Sequence, residues 1–157
     1  MNNSKKISVV VRTYNVESII KRCLDSVTWV DEVIIVDMFS QDRTEEICRS
    51  YPNVRLFKRR DYINANLNYG IEQATGDWIM RLDSDEVISP QLASEIREVI
   101  SFKEDKYDGY YIPCNNYVFG KHIRYCFGKT PSRPMLFKKG YFKHKCKSDH
   151  EFPTITG

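Results

Sequence analysis

Three acidic residues stand within four positions of the sequence, directly after an apolar run: Asp83, Asp85 and Glu86 follow residues 78–82. Carboxylates crowded in this way repel one another, and a buried cluster of charge without a partner is costly. A divalent cation removes this conflict, because Mg²⁺ or Mn²⁺ is bound by one or two carboxylates together with substrate phosphates and waters. The Asp-x-Asp spacing therefore predicts a metal–phosphate site. The alternative is that these acids stabilise a turn or cap the next helix, although Ser89 is already the predicted N-cap of that helix.

Short strands and helical segments alternate over the first hundred residues, and this framework must position the acids. Apolar, β-branched runs predict buried strands at residues 7–11, 33–36, 54–57 and 78–82. Apolar residues at helical spacing predict helices after these strands, including one over residues 63–74 and one that starts at Ser89-Pro90. Asp42, with Glu45 three residues later, predicts a capping box at the second helix. The alternation predicts an α/β fold with a mostly parallel sheet flanked by helices.

Polar residues follow three of the predicted strands at their carboxyl ends, where ligands bind in open parallel sheets. They are Thr13-Tyr14-Asn15 after the first strand, Asp37 after the second, and the acids that begin at Asp83 after the fourth. These residues are far apart in sequence, but a parallel sheet brings them to one edge. The sequence therefore predicts a single ligand site there.

The character of the sequence changes after Tyr107. Short extended runs are predicted at residues 109–113, 117–119, 122–125 and 135–138, and Phe119-Gly120-Lys121 predicts a hairpin turn. Internal repeats, low-complexity segments and clear linkers are absent from the sequence. We therefore expect one domain whose second half is more irregular and richer in strands than the first.

Composition and charge exclude a general affinity for nucleic acid. The 157 residues are 41% hydrophobic and 29% charged, as expected for one globular domain. With 24 basic and 21 acidic residues the net charge is only +3, so no broad basic surface is predicted. Residues 138–147, however, contain no acid and five lysines: Lys138, Lys139, Lys143, Lys145 and Lys147. This run predicts either a solvated strand pair or a contact with phosphate or an anionic membrane.

The cysteines favour a reducing compartment, because they are five in number and form no CxxC pair. His144, Cys146 and His150 have poor spacing for a zinc site, and a fourth ligand is not evident. The sequence has no signal-peptide pattern and no run of about 18 apolar residues. We therefore expect a cytoplasmic protein.

Five segments of the sequence resemble the family 2 nucleotide-sugar glycosyltransferases, which have the GT-A fold. The narrower resemblance is to the bacterial branch that builds lipopolysaccharide core and other surface glycans. The segments are ISVVVRTYN, VIIVDMFSQDRT, NYGIEQATGDWIMRLDSDE, LFKKG and His150-Glu151. They occur in the family's order, cover nearly all of the chain, and are most specific over residues 68–86.

This resemblance implies transfer of a sugar from a nucleoside-diphosphate sugar, with a UDP-sugar as the default donor, to a glycan or lipid-linked acceptor. It implies that Thr13, Tyr14 and Asn15 line the nucleotide pocket and that Asp37 hydrogen-bonds the base or ribose. A peripheral contact of this cytoplasmic protein with the inner face of the membrane is a further hypothesis, drawn only from the lysine cluster at residues 138–147.

The resemblance also implies the metal ligands and the catalytic base. Asp83 would approach the ribose or a metal-bound water, and Asp85 would ligate Mg²⁺ or Mn²⁺ on the pyrophosphate. Glu151 would remove the proton of the acceptor hydroxyl, with His150 or Asp149 as alternatives. Single displacement would then invert the anomeric centre, in analogy to the two-carboxylate mechanism of inverting glycosidases.

The sequence departs from the family's pattern before Asn68, where relatives usually carry Lys or Arg and this chain has Leu67. The missing contact to base or pyrophosphate would then come from Lys58, Arg59 or Arg60. A second departure is that the chain stops six residues after the His-Glu dipeptide. We therefore expect residues 1–88 to form a nucleotide-sugar-binding half, and residues 89–157 a partial acceptor-side half that is truncated relative to the family.

Other function classes fit the sequence less well. A non-catalytic nucleotide-sugar-binding fragment or degenerate homologue is the main alternative, because the acceptor side is short. Residues 83–87 also fit the DxDx[TV] loop of haloacid-dehalogenase-like phosphatases, but that loop normally opens its domain. A dinucleotide oxidoreductase would need a GxGxxG motif and a nucleotidyltransferase a Gly-rich phosphate loop after the first strand, and neither is present.

Overall fold

The structure, a computed structural model, describes residues 5–101, 107–123, 132–143 and 154–155. The strands within these ranges are β1 (Ile7–Thr13), β2 (Glu32–Asp37), β3 (Val54–Lys58), β4 (Trp78–Asp83), β5 (Gly109–Pro113), β6 (Asn116–Val118), β7 (Lys121–Ile123), β8 (Ser132–Lys138), β9 (Phe142–Lys143) and β10 (Thr154–Ile155). The helices are α1 (Ile20–Asp25), α2 (Thr44–Arg49), α3 (Ile63–Gln73) and α4 (Pro90–Ser101).

The main sheet has six strands in the order β3-β2-β1-β4-β8-β5. Strands β1, β2, β3 and β4 run parallel to one another, whereas β8 runs antiparallel to both β4 and β5. The predicted α/β class with a mostly parallel sheet is therefore confirmed. We call the edge at which β1, β2 and β4 begin the amino edge, and the edge at which they end the carboxyl edge.

The central strands are apolar along their length because both faces of the sheet are covered. Every residue of β2 is buried, and β1 and β4 each have a single residue that is partly exposed. Val9 and Val11 belong to the core shared with α1, α2 and α4, whereas Val10 between them belongs to the core shared with α3. Alternate residues of one strand thus stabilise two helical layers.

Helix α3 approaches the sheet closely at Gly70. A Cβ at this position would lie 2.4 Å from Cγ1 of Val10 and 3.0 Å from Cγ2 of Val36. Both valines are buried and have restricted side-chain rotamers, so they cannot move aside without opening the core. The distance between α3 and the sheet therefore requires glycine.

A polar network joins the strands at the amino edge. The Glu32 carboxylate accepts hydrogen bonds from the Ser8 hydroxyl (2.6 Å), from the N–H and hydroxyl of Thr75, and from Arg55 (2.9 Å). The N–H of Gly76 in turn donates to Ser8 Oγ at 2.8 Å. Burial raises the pKa of Glu32, but these hydrogen bonds outweigh burial and lower the pKa to about 2.

The hairpin predicted in the second half is present. Strand β6 pairs antiparallel with β7, and Phe119 and Gly120 form the turn with φ values of 49° and 75°. Of the run predicted over residues 122–125, residues 124 and 125 lie outside the described ranges. The predicted cap of α4 is also present, since the N–H of Leu92 donates to Ser89 Oγ at 3.2 Å.

The prediction of a capping box at the second helix was wrong. Helix α2 begins after Arg43, and Glu45 pairs with Arg49 and Lys58 instead of reaching back to the backbone. Two basic side chains within reach of Glu45 compete with that backbone contact. Asp42 still accepts the N–H of Thr44 at 3.0 Å, so only half of the motif forms.

The lysine cluster begins at the amino edge. Lys138 pairs in register with Trp78, the first residue of β4, whereas Asp83 ends that strand about 17 Å away. Lys138 forms an ion pair with Asp108 (2.9 Å), and Lys139 donates to the carbonyl of Ala74 (2.7 Å), beside a cavity of about 350 Å³. Lys145 and Lys147 lie outside the described ranges, as do His144, Cys146 and His150, whose spacing is poor for a zinc site.

The described helices are short. The longest, α4, has 12 residues, whereas a transmembrane helix needs about 20. None of the described helices has both the length and the apolar character needed to cross a bilayer.

Candidate functional site

The ends of β1, β2 and β4 lie side by side at the carboxyl edge because β1 runs between the other two strands. The register pairs Thr13 with Asp37 and Arg12 with Asp83. The polar residues that are distant in sequence are therefore neighbours in the fold. The remainder of the site is built from the loops that follow these strands.

Asp37 is enclosed by the loop that follows β2. Its carboxylate is fully buried and accepts hydrogen bonds from the Thr13 hydroxyl (2.9 Å), the Ser40 hydroxyl (2.5 Å) and the Ser40 N–H (2.9 Å). Thr13 is only 1% exposed. Asp37 and Thr13 thus hold the two loops together, and a ligand approaching this edge meets the loop surface before it meets the carboxylate.

Tyr14 and Asn15 form the loop that follows β1. Asn15 has a left-handed backbone (φ 51°), its N–H donates to Ser40 Oγ at 2.9 Å, and its Oδ1 accepts the N–H of Gln41 at 2.8 Å. The Asn15 side chain therefore fixes the neighbouring loop. Tyr14, in contrast, presents a ring that is 47% exposed.

Two of the three acids at the end of β4 have structural partners. Asp83 Oδ1 accepts a hydrogen bond from Arg12 Nη2 at 2.5 Å, which forms a partly buried ion pair. Glu86 Oε2 accepts the N–H of Asp83 at 2.9 Å, and the N–H of Glu86 donates to the carbonyl of Asp83 at 2.9 Å. Glu86 therefore stabilises the turn, which was the alternative role considered for these acids. Arg12 neutralises the charge of Asp83.

Asp85 is the acid that remains available for a ligand. It is exposed, and it has no hydrogen bond or ion pair with the residues that the structure describes. Across the described ranges no group of three or more His, Cys, Asp or Glu side chains is arranged to hold a metal ion. This donor set fits Mg²⁺ or Mn²⁺ bound by one or two carboxylates, Asp85 with Asp83 beside it, with phosphates and waters completing the shell.

The thiol of Cys23 lies next to these acids and is chemically inert. Burial, together with the negative charges of Glu86, Asp85 and Asp83, raises the pKa of Cys23 to about 12. A thiol with this pKa is not a nucleophile at neutral pH. The site therefore offers carboxylate chemistry.

Sequence reasoning missed two residues that build the site, Arg12 and Ser40. Arg12 directly precedes the predicted Thr13, but its partner Asp83 is 71 residues away. Ser40 stands three residues after Asp37, and a serine at this spacing after an aspartate was the available signal. Glu151, His150 and Asp149, the predicted base and its alternatives, lie outside the described ranges, so their roles stay predictions.

A mostly parallel sheet with an antiparallel strand beside β4, and with Asp37 and the Asp83-Ser84-Asp85 turn at its carboxyl edge, defines an α/β protein of the GT-A class. The chain belongs to glycosyl transferase family 2, whose family model matches residues 8–155. The predicted family is therefore confirmed, and the comparisons do not favour the phosphatase alternative.

Known proteins of this family resemble the chain over much of its length. An uncharacterized glycosyltransferase of Rickettsia typhi is 33% identical over 110 residues, which cover 69% of this chain and 38% of that protein. Staphylococcus aureus TarS residues 1–349, solved with UDP-GlcNAc, is 29% identical, with a TM-score of 0.55 over 60% of this chain and 31% of that one.

A mannosyltransferase of Pyrobaculum calidifontis, solved with GDP-Man and Mn²⁺, is 25% identical to the chain. Its TM-score is 0.56, and the match covers 67% of this chain and 34% of that one. The chain thus spans about a third of the length of these three proteins.

Proposed function

We propose that the chain binds a nucleoside-diphosphate sugar at the carboxyl edge and transfers the sugar with inversion to a glycan or lipid-linked acceptor, in the synthesis of bacterial lipopolysaccharide or other surface polysaccharide. The observation that carries the proposal is Asp85, an exposed carboxylate next to the Arg12–Asp83 ion pair and across β1 from Asp37. The UDP-GlcNAc in TarS and the GDP-Man in the Pyrobaculum enzyme support this class of donor. A UDP-sugar is the donor we would test first.

The turn after β4 is arranged to receive a diphosphate. Mg²⁺ or Mn²⁺ bound at Asp85 would stabilise the negative charge that develops on the leaving nucleoside diphosphate. Arg12 fixes the Asp83 side chain, and Glu86 fixes the Asp83 backbone. Because these contacts exist without a ligand, little reorganisation is needed when the donor binds.

The chain's own base would act on the face of the sugar opposite the diphosphate. We propose Glu151 for this role, with His150 or Asp149 as alternatives; it would accept the proton of the acceptor hydroxyl as that oxygen attacks C1. Attack from the face opposite the leaving group inverts the anomeric centre. The stereochemistry of the product, followed by NMR, tests this assignment.

A thermal-shift panel of UDP, GDP, dTDP and ADP sugars, with and without Mn²⁺, tests the proposal. A donor at about 100 times its Kd stabilises the folded chain by about 2.7 kcal/mol. We expect one class of nucleotide to raise Tm only with Mn²⁺, and Asp85→Ala to abolish this rise. An absence of any Mn²⁺-dependent shift in the wild type contradicts the proposal.

Turnover separates the enzyme from a non-catalytic binding fragment. An active transferase releases the nucleoside diphosphate from its donor, by transfer or by slow hydrolysis, whereas a binding fragment gives the thermal shift without release. Measurement of released diphosphate with the matched donor therefore decides between them.

Peripheral contact with an anionic membrane through the lysine cluster is a separate proposal, and equal sedimentation with neutral and anionic vesicles would remove it.

A further inference from the structure

A cavity of about 350 Å³ opens at the amino edge of the sheet, a volume within the range of small-molecule sites in proteins. Its wall is built from the start of β1, the turn before β4, and the end of β8 with the turn that follows. Three lysines line it, Lys5, Lys138 and Lys139, together with the acid Asp77. Since β4 alone is about 17 Å long, this cavity is separate from the candidate functional site at the carboxyl edge.

The two lysines at the end of β8 are held in place by hydrogen bonds. The N–H of Lys138 donates to the carbonyl of Asp108, and the N–H of Lys139 donates to the carbonyl of Asp77, both at 2.9 Å. Nζ of Lys139 donates to the carbonyl of Ala74 at 2.7 Å. Because the long Lys139 side chain is ordered before a ligand arrives, less conformational entropy is lost when a ligand binds.

The charges around this cavity leave it net positive. Lys138 is ion-paired with Asp108 at 2.9 Å, and Oδ2 of Asp77 accepts the N–H of Lys6 at 2.8 Å. Even with Asp108 included, the three lysines of the wall outnumber the two acids. Lys139 forms no ion pair within the described ranges, since its partner is a neutral carbonyl. An ammonium group has three donors, so Lys139 retains two for an anionic ligand.

An aromatic ring completes the wall beside the lysines. The N–H of Tyr141 donates to the carbonyl of Lys138 at 3.2 Å across a turn in which Gly140 has a φ of 95°. This turn places the Tyr141 ring 5.9 Å from Nζ of Lys138, within cation–π range. The ring is 38% exposed, and the Tyr141 hydroxyl makes no hydrogen bond with the residues that the structure describes. Tyr141 therefore offers an apolar face and a donor to a ligand.

We propose that this amino-edge cavity binds a phosphate ester, with the lysines on the phosphate and Tyr141 against the organic part. A phosphate group carries close to two negative charges and three strong acceptor oxygens, so several ammonium groups can bind it at once. A carboxylate has one charge and two oxygens and satisfies fewer of them. The site goes beyond the proposed function, because it lies at the other edge of the sheet from Asp85 and its cations are lysines.

NMR titration of the 157-residue chain with glycerol 3-phosphate, in the presence of a chelator, tests the inference. We expect saturable binding with a Kd of about 1 mM, and acetate should bind at least about tenfold more weakly. The amide signals of residues 75–78 and 138–141 should shift, and those of residues 84–86 should not. Lys139→Gln should weaken binding about tenfold, as the loss of one charged hydrogen bond predicts, and Tyr141→Phe about threefold.

Lys121→Gln is the matched control, because it removes the same charge from an exposed position on β7, a strand outside the cavity wall. Lys121→Gln and Asp85→Ala should both leave the Kd unchanged. Lys5→Gln should weaken binding about tenfold, and it keeps the test decisive if Lys139→Gln does not fold. Shifts at residues 84–86, an equal loss in Lys121→Gln, or an unchanged Kd in the folded cavity variants overturns the inference while the proposed function stands.

Vesicle sedimentation separates the two sources of this chemistry, a soluble phosphate ester and a phospholipid headgroup. If the ligand is a headgroup, the chain sediments with vesicles that contain phosphatidic acid, glycerol 3-phosphate competes, and Lys139→Gln reduces sedimentation more than Lys121→Gln does. If the ligand is soluble, glycerol 3-phosphate binds and the vesicles do not. Binding of neither probe overturns the inference, as does sedimentation that glycerol 3-phosphate leaves unchanged and that the two lysine variants reduce equally.

Discussion

The amino edge and the carboxyl edge of the sheet both contain backbone positions that favour glycine, but different residue types occupy these positions. At the amino edge glycine stands where the backbone requires it. Gly76 passes so close to Ser8 that a Cβ would lie 2.6 Å from its Oγ, and Gly140 has a φ of 95°. At the carboxyl edge the left-handed positions are occupied by Asn15 and Phe39.

The acidic side chains of the two edges also differ in how completely they are hydrogen-bonded. Glu32 at the amino edge has a hydrogen-bond partner for each oxygen and lies among residues that are themselves paired. Asp85 at the carboxyl edge has no such partner among the described residues and faces solvent. Satisfied polar groups and well-placed glycines stabilise the fold, whereas strain and open polar groups are retained where a ligand completes them.

The largest effect is expected at the amino edge, from Gly76→Ala. The added Cβ would meet the backbone N of Ser8 at 2.8 Å and the carbonyl of Lys6 at 3.0 Å, and strand backbone cannot give way. We expect a loss of about 3 kcal/mol in the free energy of unfolding, or a fall in Tm of about 6–12 °C. Gly120→Ala, where no atom lies within 4 Å, is the control and should cost about 1 kcal/mol. Equal costs would remove the close approach as the reason for Gly76.

Asp85→Ala should remove ligand binding and leave the stability of the ligand-free fold almost unchanged, in contrast to Gly76→Ala at the amino edge. Because Asp85 is exposed and unpaired within the described part of the chain, the ligand-free variant should unfold within about 0.5 kcal/mol of the wild type. The ligand-dependent stabilisation of about 2.7 kcal/mol at 100 times Kd should disappear. Chemical denaturation with and without Mn²⁺ and donor measures both quantities. A strong destabilisation of the ligand-free variant would give Asp85 a structural role and weaken the contrast between the edges.

Most of the fold could be predicted because its signals are local. Apolar runs mark β1, β2 and β4, and Ser89-Pro90 marks the start of α4. The acids of the site could be found because Asp-x-Asp follows a strand. The contact of Arg12 with Asp83 could not be predicted, since only the sheet register joins positions 71 residues apart. The left-handed backbone of Phe39 could not be predicted either, because nothing in a phenylalanine favours that conformation.

Glu32→Gln tests whether the amino-edge network contributes stability through charge. The folded-state pKa of Glu32 is lowered from 4.5 to about 2, so its stabilisation is present above pH 4.5 and is lost as the pH falls towards 2. We expect Glu32→Gln to cost about 2 kcal/mol at pH 7. The difference between wild type and variant should shrink between pH 4.5 and 2, as measured by urea unfolding at each pH. A difference that is constant with pH would mean that packing, and not the charge, is what the variant loses.

The smallest effect separates backbone strain at the carboxyl edge from the ring that it presents. Phe39→Ala and Phe39→Gly both remove the ring and its contact with Arg60, so the difference between them reports the backbone alone. Glycine adopts the left-handed region freely, and Phe39→Gly should therefore be more stable than Phe39→Ala by about 1 kcal/mol in urea unfolding. Gly140→Ala at the amino edge, where a Cβ meets no atom within 4 Å, should cost the same amount in the reverse direction. If Phe39→Ala is as stable as Phe39→Gly while Gly140→Ala is destabilised, the loop after β2 does not hold a left-handed residue in solution, and the strain that distinguishes the two edges is absent.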